Sequence, residues 1–280
     1  MNKVFLRLKE DNPARIDGTD GYIPVAAENI KPSRLSQSSR DEILNIRLFC
    51  GNEEYSVSDF FEVDGEYGEN IIIDGDLFYF KDIAKNMETG FIRVKGNTGM
   101  HTGAYMKGGR IQIDGDAGDW LGAEMTGGLI RISGNAGNYI GSAYRGDKLG
   151  MNRGVIIVEG NTGNFTGNQM RRGEIIVFGN TGDLPGAQMI AGSIYIFGKT
   201  GIRPGAGMKR GTIVTYSPVE LLPTFSFNSS YRPGFLKIAY KLMNKRFDIK
   251  VEKDKKNGIY KRYTGDNTEM GKGEIYEWQG

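Results

Sequence analysis

Side chains that bind metals or act as nucleophiles are scarce in this sequence. Its 280 residues include one cysteine, Cys50, and one histidine, His101. Two such residues cannot build a disulfide framework, a zinc site or an iron–sulfur cluster. Carboxylates are plentiful, but they fall at turns or at alternate, outward-facing positions, and no acid–base pair stands out. The sequence therefore predicts no catalytic residue and no metal site in this chain.

Long apolar runs are also missing. The N-terminus, Met1-Asn-Lys-Val-Phe-Leu-Arg-Leu-Lys, lacks the apolar core of a signal peptide. No segment approaches the roughly 18 apolar residues of a membrane span, and the mean hydropathy is −0.41. These features predict a cytoplasmic protein that does not contact a membrane.

A strong excess of one charge is absent too, since the formal net charge is +2. The segment 237–262 is locally basic, with ten Lys or Arg against three Asp or Glu. It has no aromatic residues interleaved in the manner of a nucleic-acid-binding motif. We therefore expect no nucleic-acid partner.

Glycine is abundant, and it marks an internal repeat. Equivalent glycines are separated by 19, 19, 26, 19 and 19 residues, and each unit opens with alternating β-branched residues, as in Ile111/Ile113. A 19-residue unit has no room for a crossover helix, so its parallel strands must be joined by turns. The repeat predicts a mainly β protein, a right-handed parallel β-helix of about seven coils. The equivalent glycines are Gly96, Gly115, Gly134, Gly160, Gly179 and Gly198.

Two further features recur once in each coil. The repeat glycines are expected to mark corners, where the backbone takes positive φ or passes close to the next coil. Asn or Asp follows each of the first five, as at Asn97 and Asp116, and is expected to take the same left-handed corner geometry. A methionine column is expected to fill the core. Its members are Met87, Met106, Met125, Met170, Met189 and Met208, with Tyr144 in the third unit.

The chain divides into three predicted parts. Residues 1–68 do not repeat and predict a small α/β cap, residues 69–216 form the β-helix, and residues 217–280 form a C-terminal cap. Both caps are expected because the ends of a β-helix expose unpaired strand edges. The C-terminal cap should contain an amphipathic helix that closes the far end of the β-helix. The apolar residues of its predicted face are Phe235, Ile238, Ala239, Leu242 and Met243.

One coil departs from the 19-residue period through a seven-residue insertion within 144–153. An added loop on one coil often carries a binding surface, although it can also be a simple excursion into solvent. We favour an interface with another subunit. Its candidate residues are Tyr144, Arg145, Lys148, Leu149, Met151 and Arg153.

A second candidate surface is a basic row next to the methionine column. Stacked cations could hold an anionic partner or ligand. A solvated edge is the alternative, because Thr126, Ile190 and Ala191 interrupt the row. The candidate residues are Lys107, Arg171, Arg172, Lys209 and Arg210.

Several motifs carry a resemblance to a known family. They are Ser142-Ala-Tyr-Arg-Gly146, Met208-Lys-Arg-Gly-Thr-Ile-Val214, Leu221-Leu-Pro-Thr-Phe225, Lys261-Arg-Tyr-Thr-Gly-Asp266 and Gly271-Lys-Gly-Glu-Ile275. Together with the repeats, they resemble the C subunit of formylmethanofuran dehydrogenase, and especially the related C subunit of the bacterial formyltransferase/hydrolase complex. The repeat is also similar to the C-terminal domain of the glutamate synthase large subunit, where it is structural.

The resemblance implies a non-catalytic scaffold subunit in a cytoplasmic one-carbon complex. In the hydrolase branch, the formyl group moves between tetrahydromethanopterin and a methanofuran-type carrier and is hydrolysed to formate. The alternative is the molybdenum or tungsten dehydrogenase of methanogenesis. The implied partners are an amidohydrolase-like A subunit, a molybdopterin-enzyme-like B subunit and a formyltransferase-like D subunit, or their dehydrogenase counterparts. Metal, pterin and carrier are then bound by those partners, although the carrier's polyglutamate tail is a candidate ligand for the basic row.

Two functions of other classes remain open. A free-standing β-helix could bind an acidic polymer or a carbohydrate, but the repeat surface is expected to have few aromatic side chains. A β-helix enzyme would need a cleft lined by carboxylates or by arginine and lysine, and no such cleft is evident in the repeats.

Overall fold

The computed structural model describes residues 2–16 and 19–280. The N-terminal region is a small α/β unit, as predicted from the sequence. Its second helix begins with a capping box, in which the Ser39 and Glu42 side chains each bond the other residue's backbone N–H. Its elements are β1 (Lys3–Leu8), β2 (Val25–Ala26), α1 (Pro32–Leu35), α2 (Arg40–Leu44), β3 (Arg47–Cys50), β4 (Glu53–Ser56), α3 (Val57–Phe60) and β5 (Phe61–Asp64).

Each coil of the repeat region contributes one strand to a parallel stack. Neighbouring strands pair in register, so that Ile92, Ile111, Ile130 and Ile156 lie directly next to one another. These inward-facing side chains are fully buried, which explains the alternation of β-branched residues. The stacked strands are β6 (Asn70–Asp74), β8 (Phe91–Val94), β9 (Arg110–Ile113), β10 (Leu129–Ile132), β11 (Asn152–Val158), β12 (Arg172–Val177), β13 (Ser193–Ile196) and β14 (Arg210–Thr215). The short β7 (Phe80–Lys81) follows β6 along the chain but pairs with β2 outside this stack.

The C-terminal region combines a helix with extended chain, as predicted. Its last strand returns to the repeat stack and pairs in parallel with β14, with Ile275 beside Ile213. This strand, and not the predicted helix, therefore follows the last coil. The helix packs on the outer face of the sheet, against side chains that include Ile157, Ile176 and Val214. The elements are β15 (Ser226–Tyr231), α4 (Gly234–Phe247), α5 (Lys253–Asn257), β16 (Tyr260–Gly265) and β17 (Lys272–Trp278).

Most strands join one large sheet. In the described part of the chain this sheet has thirteen strands, in the order β15-β16-β17-β14-β13-β12-β11-β10-β9-β8-β6-β1-β5. Antiparallel pairs occur only at its two ends, in β15-β16-β17 and β1-β5. A separate four-stranded sheet, β4-β3-β2-β7, joins the N-terminal unit to the first coil. The prediction of a mainly β protein with parallel repeat strands is confirmed.

The buried face of α4 differs from the prediction. Of the predicted residues, Met243 is buried and Ala239 packs partly buried against the sheet, but Phe235, Ile238 and Leu242 face solvent. The helix buries Leu236 and Tyr240 in their place. The helix carries two apolar rows at helical spacing, so periodicity alone did not decide between them. The row that contains Tyr240 faces the sheet, where the Tyr240 hydroxyl accepts a hydrogen bond from the Tyr216 hydroxyl at 2.6 Å.

The methionine column is confirmed as core, with one correction. Each predicted methionine is fully buried, but the residue of the third unit that joins the column is Met151 and not Tyr144. Met151 Cε packs against Gly173 as Met125 Cε packs against Gly154, at the closeness that only a residue without Cβ permits. The inserted residues precede Met151, so the step from Met125 spans the whole insertion.

The Asn and Asp residues after the repeat glycines do not turn the chain by left-handed geometry, contrary to the prediction. Each side-chain oxygen instead accepts the backbone N–H of its counterpart in the next coil. Asp116 N donates to Asn97 Oδ1 at 2.7 Å, Asn161 N to Asn135 Oδ1 at 2.9 Å, and Asn180 N to Asn161 Oδ1 at 2.8 Å. The left-handed residues other than glycine lie elsewhere in these coils, at 101, 120, 139, 165, 184 and 203, and at 105, 124, 169 and 188.

No helix among residues 2–16 and 19–280 combines the length and the apolarity that a membrane crossing requires.

Candidate partner-binding surface

A column of aromatic side chains runs along one edge of the coils. His101, Trp120, Tyr139 and Phe165 occupy the same position in four successive coils. The rings of Trp120 and Tyr139 are parallel with centroids 4.3 Å apart, and Tyr139 and Phe165 follow at 5.0 Å. All four rings are half-buried, and those of Trp120, Tyr139 and Phe165 stack in contact, whereas the His101 ring lies 6.5 Å from that of Trp120. The column stiffens this edge of the stack.

The expectation of few aromatic side chains on the repeat surface was therefore wrong. The signal was present in the sequence, because the column residues are separated by 19, 19 and 26 residues, as the repeat glycines are. The aromatic spacing was not recognised as a column because these residues adopt a left-handed backbone conformation, which is unusual for bulky side chains.

The insertion places Tyr144 on this column. Its ring lies 5.0 Å from that of Trp120, and its hydroxyl is 2.9 Å from His101 Nδ1. The Tyr144 backbone N–H donates to Glu124 Oε1 at 2.9 Å, which fixes the start of the loop. Burial lowers the pKa of His101 and raises the pKa of Tyr144, so both side chains are neutral near pH 7.

The predicted interface residues separate into three groups. Arg145, Lys148 and Leu149 are exposed on the loop, next to half-buried Tyr144. Met151 is fully buried in the methionine column, so its assignment to an interface was wrong. Arg153 lies apart from the loop, in the groove beside α4. Tyr144, Arg145, Lys148 and Leu149 therefore form the loop surface that another protein can reach.

The basic row is present but interrupted. Lys107, Arg171 and Lys209 occupy equivalent positions, because the backbone N–H of each donates to the carbonyl of a column methionine in the preceding coil. With coils about 4.8 Å apart, Arg171 and Lys209 are roughly 10 Å apart along the stack. Lys107 is paired with Glu88 at 2.8 Å and Lys209 lies 3.8 Å from Glu269, which neutralises both ends. Arg172 and Arg210 are exposed one residue further along their strands.

A groove between the coils and the C-terminal end of α4 was not predicted. It has a volume of about 880 Å³, and its walls include Arg110, Arg153 and Arg246 with the half-buried carboxylate of Glu174. Burial raises the pKa of Glu174, and Arg246 partly offsets this. The groove brings together Arg153 and Arg246, which are more than 90 positions apart in sequence, so no local sequence pattern predicts it.

The remaining polar candidates have structural roles. Asp116 and Asp119 accept hydrogen bonds from the next coil, at 2.6 Å from Asn135 N and at 2.7 Å from Asn138 N. The Cys50 thiol is buried, which raises its pKa. Within the described ranges, no three His, Cys, Asp or Glu side chains come close enough together to hold a metal ion.

Comparisons with known proteins agree with this arrangement. The GXGXG motif family matches residues 78–222, the coils and the start of the C-terminal region. A chain of the formyltransferase/hydrolase complex (FhcABCD) from Methylorubrum extorquens, in complex with methylofuran, superposes with a TM-score of 0.89 and 30% identity. This likeness covers 99% of the present chain and 100% of that chain.

Two curated relatives match over shorter segments. The C subunit of the tungsten-containing formylmethanofuran dehydrogenase 2 of Methanothermobacter thermautotrophicus is 46% identical over 87 residues, which is 29% of this chain. The C subunit of the molybdenum-containing formylmethanofuran dehydrogenase 1 of Methanosarcina barkeri is 35% identical over 84 residues. The matched segments span about a third of these curated relatives, 32% and 28% of their lengths. Repeat, full-length likeness and named relatives agree, and the chain belongs to the family of formylmethanofuran dehydrogenase C subunits.

Proposed function

We propose that this chain is a non-catalytic scaffold subunit of a cytoplasmic complex of the formyltransferase/hydrolase type. The observation that carries the proposal is the full-length likeness to a chain of the FhcABCD complex, which leaves no large part of either chain unmatched. In such a complex, a formyl group moves between tetrahydromethanopterin and a methanofuran-type carrier and is hydrolysed to formate.

The proposed partners are an amidohydrolase-like, a molybdopterin-enzyme-like and a formyltransferase-like subunit, which would hold any metal, pterin and carrier. This chain would supply a stiff stack, which we interpret as a right-handed parallel β-helix. Its loop surface, Tyr144, Arg145, Lys148 and Leu149, is the proposed contact with one partner. A partner at this loop would rest on the supported ring of Tyr144, so little conformational entropy would be lost on binding.

A second candidate is the C subunit of a tungsten or molybdenum formylmethanofuran dehydrogenase. It is favoured by the 46% identity to the corresponding chain of a tungsten enzyme, which exceeds the 30% identity to the FhcABCD chain but covers only 87 residues. The two candidates differ in their partners' chemistry.

Purification of the tagged chain from its own cells tests both candidates. The copurifying proteins would be identified by mass spectrometry, and the material assayed for formyl transfer, formyl-carrier hydrolysis and dye-linked oxidation. We expect the first two activities without the third. Dye-linked oxidation with a metal–pterin subunit would favour the dehydrogenase, and recovery of the chain alone would overturn the scaffold role.

A further inference from the structure

Helix α4 presents an apolar row to solvent in addition to the row that it buries. Phe235 is 39% exposed, Ile238 65% and Leu242 47%. Their spacing of three and four residues places them on one face of the helix. The opposite face is already covered by the sheet, through Leu236, Tyr240 and Met243. The helix is therefore held in place with an unpartnered apolar face.

The adjoining strand extends this row. Tyr231, at the end of β15, is 39% exposed, and its hydroxyl lies 3.0 Å from the Tyr276 hydroxyl. The Phe235 ring packs against the same Tyr276 at 5.2 Å between centroids. Tyr231, Phe235, Ile238 and Leu242 thus form one continuous strip, which we name the α4 strip, on a rigid support.

Positive charge lines the α4 strip along one side. Lys237, Lys241 and Lys245 follow at four-residue spacing, and α4 contains no Asp or Glu. Lys237 and Lys241 directly precede Ile238 and Leu242, so the two rows run next to each other along the helix. None of these three lysines takes part in a salt bridge within the described residues.

We propose that the α4 strip binds another protein subunit through an apolar groove bordered by carboxylates. The proposal rests on the proposed function, which supplies a complex of several subunits. An apolar helix face laid in a groove is a common mode of recognition. Carboxylates beside the groove would pair with the lysine row and favour one orientation of the helix. A second copy of this chain fits less well, because α4 contains no Asp or Glu to pair with the lysine row, and an antiparallel two-fold contact would place lysines opposite lysines.

The test compares tagged variants purified from the protein's own cells. One variant is Ile238→Ser with Leu242→Ser, and another is Lys237→Glu with Lys241→Glu and Lys245→Glu. The matched controls are Ile202→Ser, at an exposed isoleucine outside the α4 strip, and Lys199→Glu, at an exposed lysine three residues before it. Circular dichroism and the melting temperature verify that each variant is folded.

We expect the amount of one partner subunit recovered per copy of this chain to fall at least tenfold in both α4 variants and to stay within twofold in the controls. A zero-length carbodiimide should also link Lys237, Lys241 or Lys245 of the wild-type chain to an Asp or Glu of one partner subunit. If the wild type recovers partners and the α4 variants recover as much, this inference fails while the proposed function stands. If the wild type recovers none, both fail.

Two measurements on the purified chain test whether the α4 strip binds a second copy of the chain or a membrane surface instead. Sedimentation of the wild type tests for a dimer, and flotation with phosphatidylglycerol vesicles tests for a membrane surface. A dimer that Ile238→Ser with Leu242→Ser dissolves, or vesicle binding that the lysine reversal abolishes, would overturn the proposal.

Discussion

Bulky side chains in a left-handed backbone conformation distinguish this chain at the scale of single residues. His101, Trp120, Tyr139 and Phe165 have φ angles between 59° and 63°. Each such residue costs roughly 1 kcal/mol relative to the usual conformation. Stacking of neighbouring rings offsets this cost, since an aromatic pair contributes about 0.5–1.5 kcal/mol beyond the burial of its surface. The aromatic column is thus both a consequence of the repeat and a support for it.

Replacement of Met151 by alanine tests the corrected methionine column. The change empties a fully buried site against Gly173, so we expect the free energy of unfolding to fall by about 2–4 kcal/mol. Leu149→Ala, at an exposed residue of the same insertion, should change it by less than about 0.5 kcal/mol. Urea unfolding followed by circular dichroism measures both. Equal effects of the two changes would contradict the placement of Met151 in the core.

The pH dependence of stability tests the environment of His101. Burial lowers the pKa of this side chain, and the effects of Asp82, Lys85, Lys81 and Asp119 are smaller. Its folded pKa therefore lies below the unfolded value of about 6.5. Between these two values the unfolded chain binds more protons, so this contribution makes the protein less stable as the pH falls below about 6.5.

The matching variant is His101→Gln, which cannot take up that proton. Melting temperatures measured from pH 7.5 to 5.5 should fall more steeply for the wild type than for His101→Gln. Parallel curves for the two proteins would show that His101 titrates as freely when folded as when unfolded.

At the scale of elements, the chain shows which predictions a sequence supports. The strands followed from β-branched alternation, and their parallel order followed from a period too short for a crossover helix. The buried face of α4 did not follow, because Phe235, Ile238 and Leu242 fit a helical face as well as Leu236, Tyr240 and Met243 do. Contacts between distant segments, such as Tyr240 with Tyr216, choose between such faces, and periodicity does not record them.

The same reason explains the errors at the candidate site. Tyr144 and Met151 both stand in the irregular coil, and only the continued backbone pairing shows that Met151 keeps the register. The groove at Arg153 depends on where α4 packs, which the repeat does not determine. The exposed loop residues Arg145, Lys148 and Leu149 were identified because an insertion into a stack of equal repeats has to leave the stack.

Deletion of residues 143–149 tests the insertion as an element. Removing these seven residues joins Ser142 to Gly150 and restores the 19-residue period, so we expect an intact stack. The melting temperature should fall by only a few degrees, because the loss is mainly the stacking of Tyr144 on Trp120. If the loop surface binds a partner, recovery of that partner with the tagged chain should drop at least tenfold. Unchanged recovery would identify the insertion as a simple excursion into solvent.

At the scale of the whole molecule, the described coils form a stiff body that carries several surfaces of different chemistry. The loop surface and the α4 strip draw on different elements, so each can be changed without disturbing the other, whereas the arginine-bordered groove shares α4 with the strip. A parallel stack can present several binding surfaces because each coil is held by its neighbours and tolerates substitution at its solvent-exposed positions. This arrangement supports the proposal of a scaffold that organises other subunits.

The size of the native particle tests the scaffold role most directly. Untreated extract from the protein's own cells would be fractionated by size exclusion, and this chain located with an antibody. The scaffold role predicts that nearly all of it elutes in a particle several times larger than its own 31.0 kDa, and that the α4 and loop variants shift it to smaller sizes. Elution of the wild-type chain at about its own mass, with no larger form, would contradict the account.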